Sequence, residues 1–162
     1  MGFFDFLKGG AAGGAILSPL DGEVVQLESV KDEAFSSGVM GKGIAIEPTK
    51  GVLVSPVNGK IDSVTETKHA VSIVSDAGQE ILIHIGMDTV SLKGAPFTAR
   101  VTDGQSVKTG DVLIEFDIRA IKDAGLETVT PIVVINSDDF ASVTLTDAKS
   151  VKQGDEIITT TK

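Results

Sequence analysis

The chain has no cysteine, no tryptophan and no tyrosine. The first absence removes disulfides, thiolate zinc sites and cysteine nucleophiles together, and it fits a reducing compartment. The other two leave seven phenylalanines as the only aromatics beside histidine, so the core must be built from Val, Ile, Leu and Ala. Basic residues are scarce: 14 against 23 acidic ones, a formal charge of −9. That balance argues against nucleic-acid binding and favours basic protein partners. Long apolar runs are missing as well. The start, Met1-Gly2-Phe3-Phe4-Asp5-Phe6-Leu7-Lys8, has neither the basic region of a signal peptide nor the length of a membrane span. It reads as a short amphipathic patch followed by the flexible stretch Gly9-Gly10-Ala11-Ala12-Gly13-Gly14. The expected division is therefore a flexible segment over 1–14 and one domain over 15–162.

What is present is a succession of short apolar runs, punctuated by Gly, Pro, Asn and Asp about every 8–12 residues. With 41% hydrophobic residues, this spacing predicts an all-β fold, an antiparallel sandwich or barrel with only short helical turns. One helix is expected within 118–126 and a short turn at 137–142. The crossover helices of a parallel sheet are missing. Two echoes suggest a duplicated β motif. Leu17-Ser18-Pro19-Leu20-Asp21-Gly22 is matched by Val54-Ser55-Pro56-Val57-Asn58-Gly59, and each ends in a dipeptide of the tight-hairpin kind. Ser106-Val107-Lys108-Thr109-Gly110-Asp111 is matched by Ser150-Val151-Lys152-Gln153-Gly154-Asp155. The Gly-Lys-Gly at 41–43 and the glycines at 104 and 110 fit no phosphate-loop pattern and read as turns.

Only two histidines occur, His69 and His84, each in a run rich in β-branched residues. Ser75-Asp76-Ala77-Gly78 between them reads as a four-residue hairpin loop. That loop would pair Val74 with Gln79 and set His69 directly opposite His84; a loop one residue shorter would send the imidazoles to opposite faces. The shared face would carry Thr67, Val71 and Leu82, with Gly86 leaving open space beside the rings. Ile81, Ile83 and Ile85, with Ala70 and Val74, would form the core face. Two buried imidazoles need partners for four ring nitrogens, which a core has little reason to accept. Three chemistries could use the pair: phosphoryl transfer through a neutral imidazole, zinc coordination completed by carboxylates such as Asp88, Glu66 or Glu80, and acid–base hydrolysis.

Glu66-Thr67-Lys68-His69-Ala70-Val71-Ser72-Ile73 together with Ile83-His84-Ile85-Gly86-Met87-Asp88-Thr89-Val90 resembles the signature region of glucose-type enzyme IIA of the bacterial sugar phosphotransferase system. The resemblance extends over roughly residues 15–162, through Ser18-Pro19-Leu20-Asp21-Gly22-Glu23, Met40-Gly41-Lys42-Gly43-Ile44-Ala45-Ile46, Leu92-Lys93-Gly94 and Val107-Lys108-Thr109-Gly110-Asp111. It implies a β-sandwich with a shallow depression, and a phosphotransferase component without a small substrate of its own. His84 would accept a phosphoryl group at Nε2 from the phosphocarrier HPr and pass it to a cysteine of a IIB domain in a sugar-specific IIB/IIC permease. His69 would support donation, and Thr67 would orient His69. Phe35, Val39, Met40, Val71 and Leu82 map onto the apolar docking rim, with Asp32 and Asp88 as acidic contacts. Asp88 is also expected to repel the phosphoryl dianion and keep its transfer potential high. No cofactor is required, although zinc shared by His69, His84 and a partner carboxylate fits the resemblance. Regulatory partners such as glycerol kinase or permeases belong to some relatives. A cytoplasmic location follows, with the N-terminal segment touching the inner face of the membrane. Thr65 is a departure: the enteric relatives carry an apolar aromatic there, so a thinner rim is expected. Two other readings stay open, a lysostaphin-like zinc peptidase, which the missing His-x-His and secretion signal disfavour, and a non-catalytic β-rich binding module.

Overall fold

Short strands, most of them rich in Val and Ile and many of them beginning beside a glycine, assemble into three antiparallel sheets in the computed structural model, which describes residues 13–162. The strands in chain order are β1 Gly13–Leu17, β2 Gly22–Gln26, β3 Lys42–Pro48, β4 Val52–Val54, β5 Gly59–Val64, β6 Ala70–Ser75 and β7 Glu80–His84. Then come β8 Phe97–Ala99, β9 Ser106–Val107, β10 Val112–Phe116, β11 Thr130–Val134, β12 Ser142–Leu145, β13 Ser150–Val151 and β14 Glu156–Thr161. The helices are short, α1 over Glu33–Ser36 and α2 over Ile118–Asp123. The second occupies most of the span in which the sequence predicts a helix, and the turn expected after residue 137 is a 3-10 turn over Ser137–Asp139. No helix among the described residues is long and apolar enough to cross a membrane.

An eight-stranded sheet in the order β13-β2-β3-β11-β7-β6-β5-β9 is joined by two three-stranded sheets, β1-β14-β12 and β4-β10-β8. The arrangement is an antiparallel β-sandwich. Inward residues of the large sheet (Ile44, Ile46, Val71, Ile73, Ile81, Ile83, Ile132 and Val134) meet Ile16, Leu53, Ile114 and Ile158 in the main core. Alternate residues of the same strands (Ala45, Leu82 and Val133) point the other way. There the chain between β2 and β3 folds over them, adding Leu27, Val30 and Phe35 to a second, smaller cluster. Burial of a side chain such as Phe35, 4% exposed, contributes roughly 2–3 kcal/mol to holding that cover in place.

The sequence echoes correspond to a pseudo-two-fold arrangement. Leu17 N donates to Pro56 O and Val54 N donates to Pro19 O, both at 3.0 Å. The Ser18 hydroxyl donates to Leu20 O at 2.6 Å, and that of Ser55 to Val57 O at 2.7 Å. Gln153 N donates to the Asp21 carboxylate at 2.7 Å, as Thr109 N does to Asn58 Oδ1 at 2.9 Å. The Asp-Gly and Asn-Gly pairs are thus not hairpin turns, as their type suggested. They carry the chain from one sheet to the other, because β1 pairs with β14 and not with β2. Gly43 likewise lies in β3, opposite Val133, and not in a turn. Of the stretch expected to be flexible, Gly13 and Gly14 are strand residues opposite Thr161 and Thr160; the expected amphipathic patch lies outside the described residues.

Candidate functional site

The β6–β7 hairpin differs from the expected register by one residue. Val74 pairs with Glu80, Val71 with Ile83 and Ala70 with His84. Ser75, a turn former by type, ends the strand: its N–H donates to Gln79 O at 2.8 Å and its hydroxyl to Gln79 Oε1 at 2.9 Å. The loop is therefore three residues long, closed by Gly78 at φ 87°, as a bulged hairpin requires. The expected faces change accordingly. Val71 is buried in the main core with Ile83, not beside Leu82 as floor or rim. Ala70 and Val74 leave the core face and share the outer one with Leu82 and His84.

The histidines meet nevertheless. His69 lies just before β6, as the last residue of the loop joining β5 to β6: Thr65 N donates to Ala70 O at 3.0 Å, and Lys68 takes φ 61°. Ile85 N donates to His69 O at 2.7 Å, so the backbone of His69 faces Ile85. As a loop residue its side chain escapes strand alternation, and its ring packs edge-on to His84 with centroids 4.8 Å apart at 80°. The Phe35 ring also packs against His84, with centroids 5.4 Å apart.

Each ring has its Nδ1 engaged. His84 Nδ1 lies 2.8 Å from Gly86 O. A carbonyl can only accept, so Nδ1 carries the proton and Nε2 keeps a free lone pair. Gly86 does not open space beside the rings: at φ 76° a Cβ would lie 2.6 Å from Thr89 Cγ2 and 2.7 Å from Glu127 O. Its value is the turn that brings its carbonyl back to His84. His69 Nδ1 lies 2.6 Å from the Thr67 hydroxyl. Thr65, two residues earlier, receives His69 N–H at 3.1 Å and Ala70 N–H at 3.2 Å on its hydroxyl.

Burial, with the neighbouring His84 adding to it, lowers the His69 pKa to about 4. Burial also holds His84 below the usual histidine value, against the Gly86 carbonyl and the carboxylates of Asp32 and Asp88, which favour its charged form. Asp32 caps α1 by accepting from Ala34 N at 2.9 Å. Asp88 stands exposed at φ 59°, where the chain enters the 3-10 turn Thr89–Leu92. The structure thus brings His69, His84, Thr67, Phe35, Asp32, Asp88, Leu82 and Met40 to one region, the last two against the small cluster. Val39 follows α1 and is 77% exposed; Val71 alone among the expected residues lies on the far face. The Gly86 carbonyl and the Thr65 hydroxyl were missed. The first left no trace in residue type, while the second is a threonine opening a hairpin loop, a recognisable backbone-binding position. No group of three metal-ligating side chains occurs among the described residues. Among the described residues nothing joins the two imidazoles to make three ligands, so they supply only part of a zinc shell.

Residues 14–140 match the family model of the phosphoenolpyruvate-dependent sugar phosphotransferase system, EIIA 1. The glucose-specific EIIA component of Bacillus cereus is 45% identical over 139 residues, 86% of this chain and 84% of that protein. The β-glucoside-specific EIIBCA component of Halalkalibacterium halodurans is 49% identical over 147 residues, 91% of this chain. The aligned part is 23% of that longer relative, so the chain spans about a quarter of its length. Among solved structures, glucose permease IIA from Mycoplasma capricolum superimposes with a TM-score of 0.84 at 36% identity, covering 90% of this chain and 94% of that one.

Proposed function

Since this chain belongs to the EIIA 1 family of the phosphoenolpyruvate-dependent sugar phosphotransferase system, we propose that its histidine pair carries a phosphoryl group between HPr and a IIB domain. It is a phosphotransferase component of sugar transport; the route of the phosphoryl group is our reading. One observation carries it: His84 Nδ1–H is tied to Gly86 O at 2.8 Å, which leaves Nε2 as the free lone pair. That nitrogen attacks phosphorus as the bond to HPr breaks and its electron pair returns to HPr. A cysteine thiolate on IIB then attacks in turn, and the electrons of the N–P bond return to His84. A lowered pKa keeps His84 neutral and nucleophilic at physiological pH.

The Thr67 hydroxyl holds His69 Nδ1 at 2.6 Å, and with its proton on Nε2 His69 can stabilise the phosphoryl oxygens. Val39, Met40 and Leu82 form the apolar floor and edge on which partners dock and exclude water. Asp32, Asp88 and the formal charge of −9 favour basic partner surfaces. Fusion of the matching segment within an EIIBCA protein supports IIB and IIC as partners. A zinc ion shared with a partner would take His69 and His84 from this chain. Location in the cytoplasm, contact of the N-terminal segment with the membrane and regulatory binding belong to the same proposal.

The test is transfer of labelled phosphate from phosphoenolpyruvate through enzyme I and HPr. Acid-labile label should appear on this chain and vanish in His84→Ala. His69→Gln should accept label but donate to IIB on the order of 100-fold more slowly. Label that persists in His84→Ala overturns the assignment.

A further inference from the structure

We propose that Thr65 is a second positioning residue for the phosphoryl relay, one that fixes the proton of His69 on Nε2; this rests on the relay proposed above. A threonine hydroxyl has two lone pairs and one proton. Both lone pairs of Thr65 are aimed at by backbone donors, His69 N at 3.1 Å and Ala70 N at 3.2 Å. Its proton is left with two acceptors in reach, Ala70 O at 3.3 Å and His69 Nδ1 at 3.4 Å. Thr65 can therefore donate toward Nδ1 but cannot accept from it.

The same nitrogen meets the Thr67 hydroxyl at 2.6 Å. Thr67 alone would serve either tautomer, since a hydroxyl both gives and takes a hydrogen bond. Thr65 breaks that indifference. A proton on Nδ1 could be accepted by Thr67 alone and would turn the Thr65 proton away to Ala70 O, whereas a bare Nδ1 can accept from both hydroxyls; His69 is only 7% exposed, so water gives little relief. With Nδ1 kept bare, the proton resides on Nε2, the only ring nitrogen of His69 free to donate to an anion on His84. Thr65 thus holds His69 twice, by its backbone N–H and by its tautomer. A side chain without a hydroxyl at this position can do neither.

The experiment compares the parent chain with Thr65→Val and Thr65→Ser. Nitrogen-15 shifts of the His69 ring, read in the unphosphorylated protein, report which nitrogen carries the proton. The parent and Thr65→Ser should show Nε2–H, and Thr65→Val should show a mixture. In phosphoryl transfer, Thr65→Val should accept from HPr at the parent rate and donate to IIB about tenfold more slowly, with Thr65→Ser restoring the rate. A parent His69 with its proton on Nδ1 overturns the proposal without recourse to any variant. So does a folded Thr65→Val with an unchanged His69 signature, even if its thermal midpoint has dropped, since that is the mark of a hairpin cap alone. Absence of label on His84 in the parent would instead count against the relay, while the ring shifts still decide the role of Thr65.

Discussion

The two imidazoles, in contact with each other, have different electrical surroundings. His84 has two carboxylates and a carbonyl acting to keep its proton. His69 has no carboxylate acting on it: burial first, and then the neighbouring imidazole, lower its pKa to about 4. A depressed folded-state value means that the unfolded chain binds the proton first. The stability associated with neutral His69 is thus complete above about pH 6.5 and is lost as pH falls from there toward about 4. Urea titrations of the parent and His69→Gln should converge as pH falls from 7.5 to 4. A constant difference across that range would show that His69 titrates normally. At this scale Thr67 was legible because it lies two residues from His69, within side-chain reach. Gly86 and Thr65 were not, because one acts through its carbonyl and the other largely through backbone N–H groups.

Among the elements, α1 has the largest effect for its size. One turn, four residues long, holds Phe35 over His84, and Asp32 serves it both as cap and as charge. The two roles separate by substitution. Asp32→Asn keeps a good capping side chain and removes the charge, so the His84 pKa should fall with little change in stability. Asp32→Ala should lower the pKa similarly and also lose about 1 kcal/mol of stability. Proton titration of His84 by NMR, alongside urea midpoints, distinguishes these outcomes; equal His84 titration in parent and Asp32→Asn would remove Asp32 from the site. The sequence indicated the strands and the hairpin but not the register. Ser75 looks like a loop residue, yet its hydroxyl and its N–H are both consumed by Gln79, which extends the ladder by one pair. The histidines meet through the position of His69 in a loop. A short helix such as α1, with one buried residue, carries no periodicity to read.

Across the whole molecule the duplication governs. Ser18 and Ser55 occupy equivalent turns, are each 1% exposed, and satisfy equivalent carbonyls at 2.6 and 2.7 Å. Ser18→Ala and Ser55→Ala should therefore cost the same, about 1–3 kcal/mol each, because each leaves a buried carbonyl without its donor. Denaturant midpoints that differ widely between the two would show that the halves are not mechanically equivalent. The histidines break this symmetry. Gly22 faces Pro48 as Gly59 faces Ser75, and six residues before those partners stand Lys42 and His69. Val134 faces Lys42 as Ile85 faces His69, so the counterpart of His84 is Val133. The echoes were legible because turn chemistry repeats residue types; the pairing of the halves was not, because it runs through main-chain bonds between distant segments. One pairing has a consequence for synthesis. β1, the first described strand, lies against β14, the last, with Gly13 opposite Thr161. A nascent chain that has emerged through β11 already owns both histidines and the strands that seat them, but Ile16 still lacks its opposite strand. The sandwich closes only when β14 leaves the ribosome, so until that moment the unfinished domain offers an open strand edge to chaperones and to other chains.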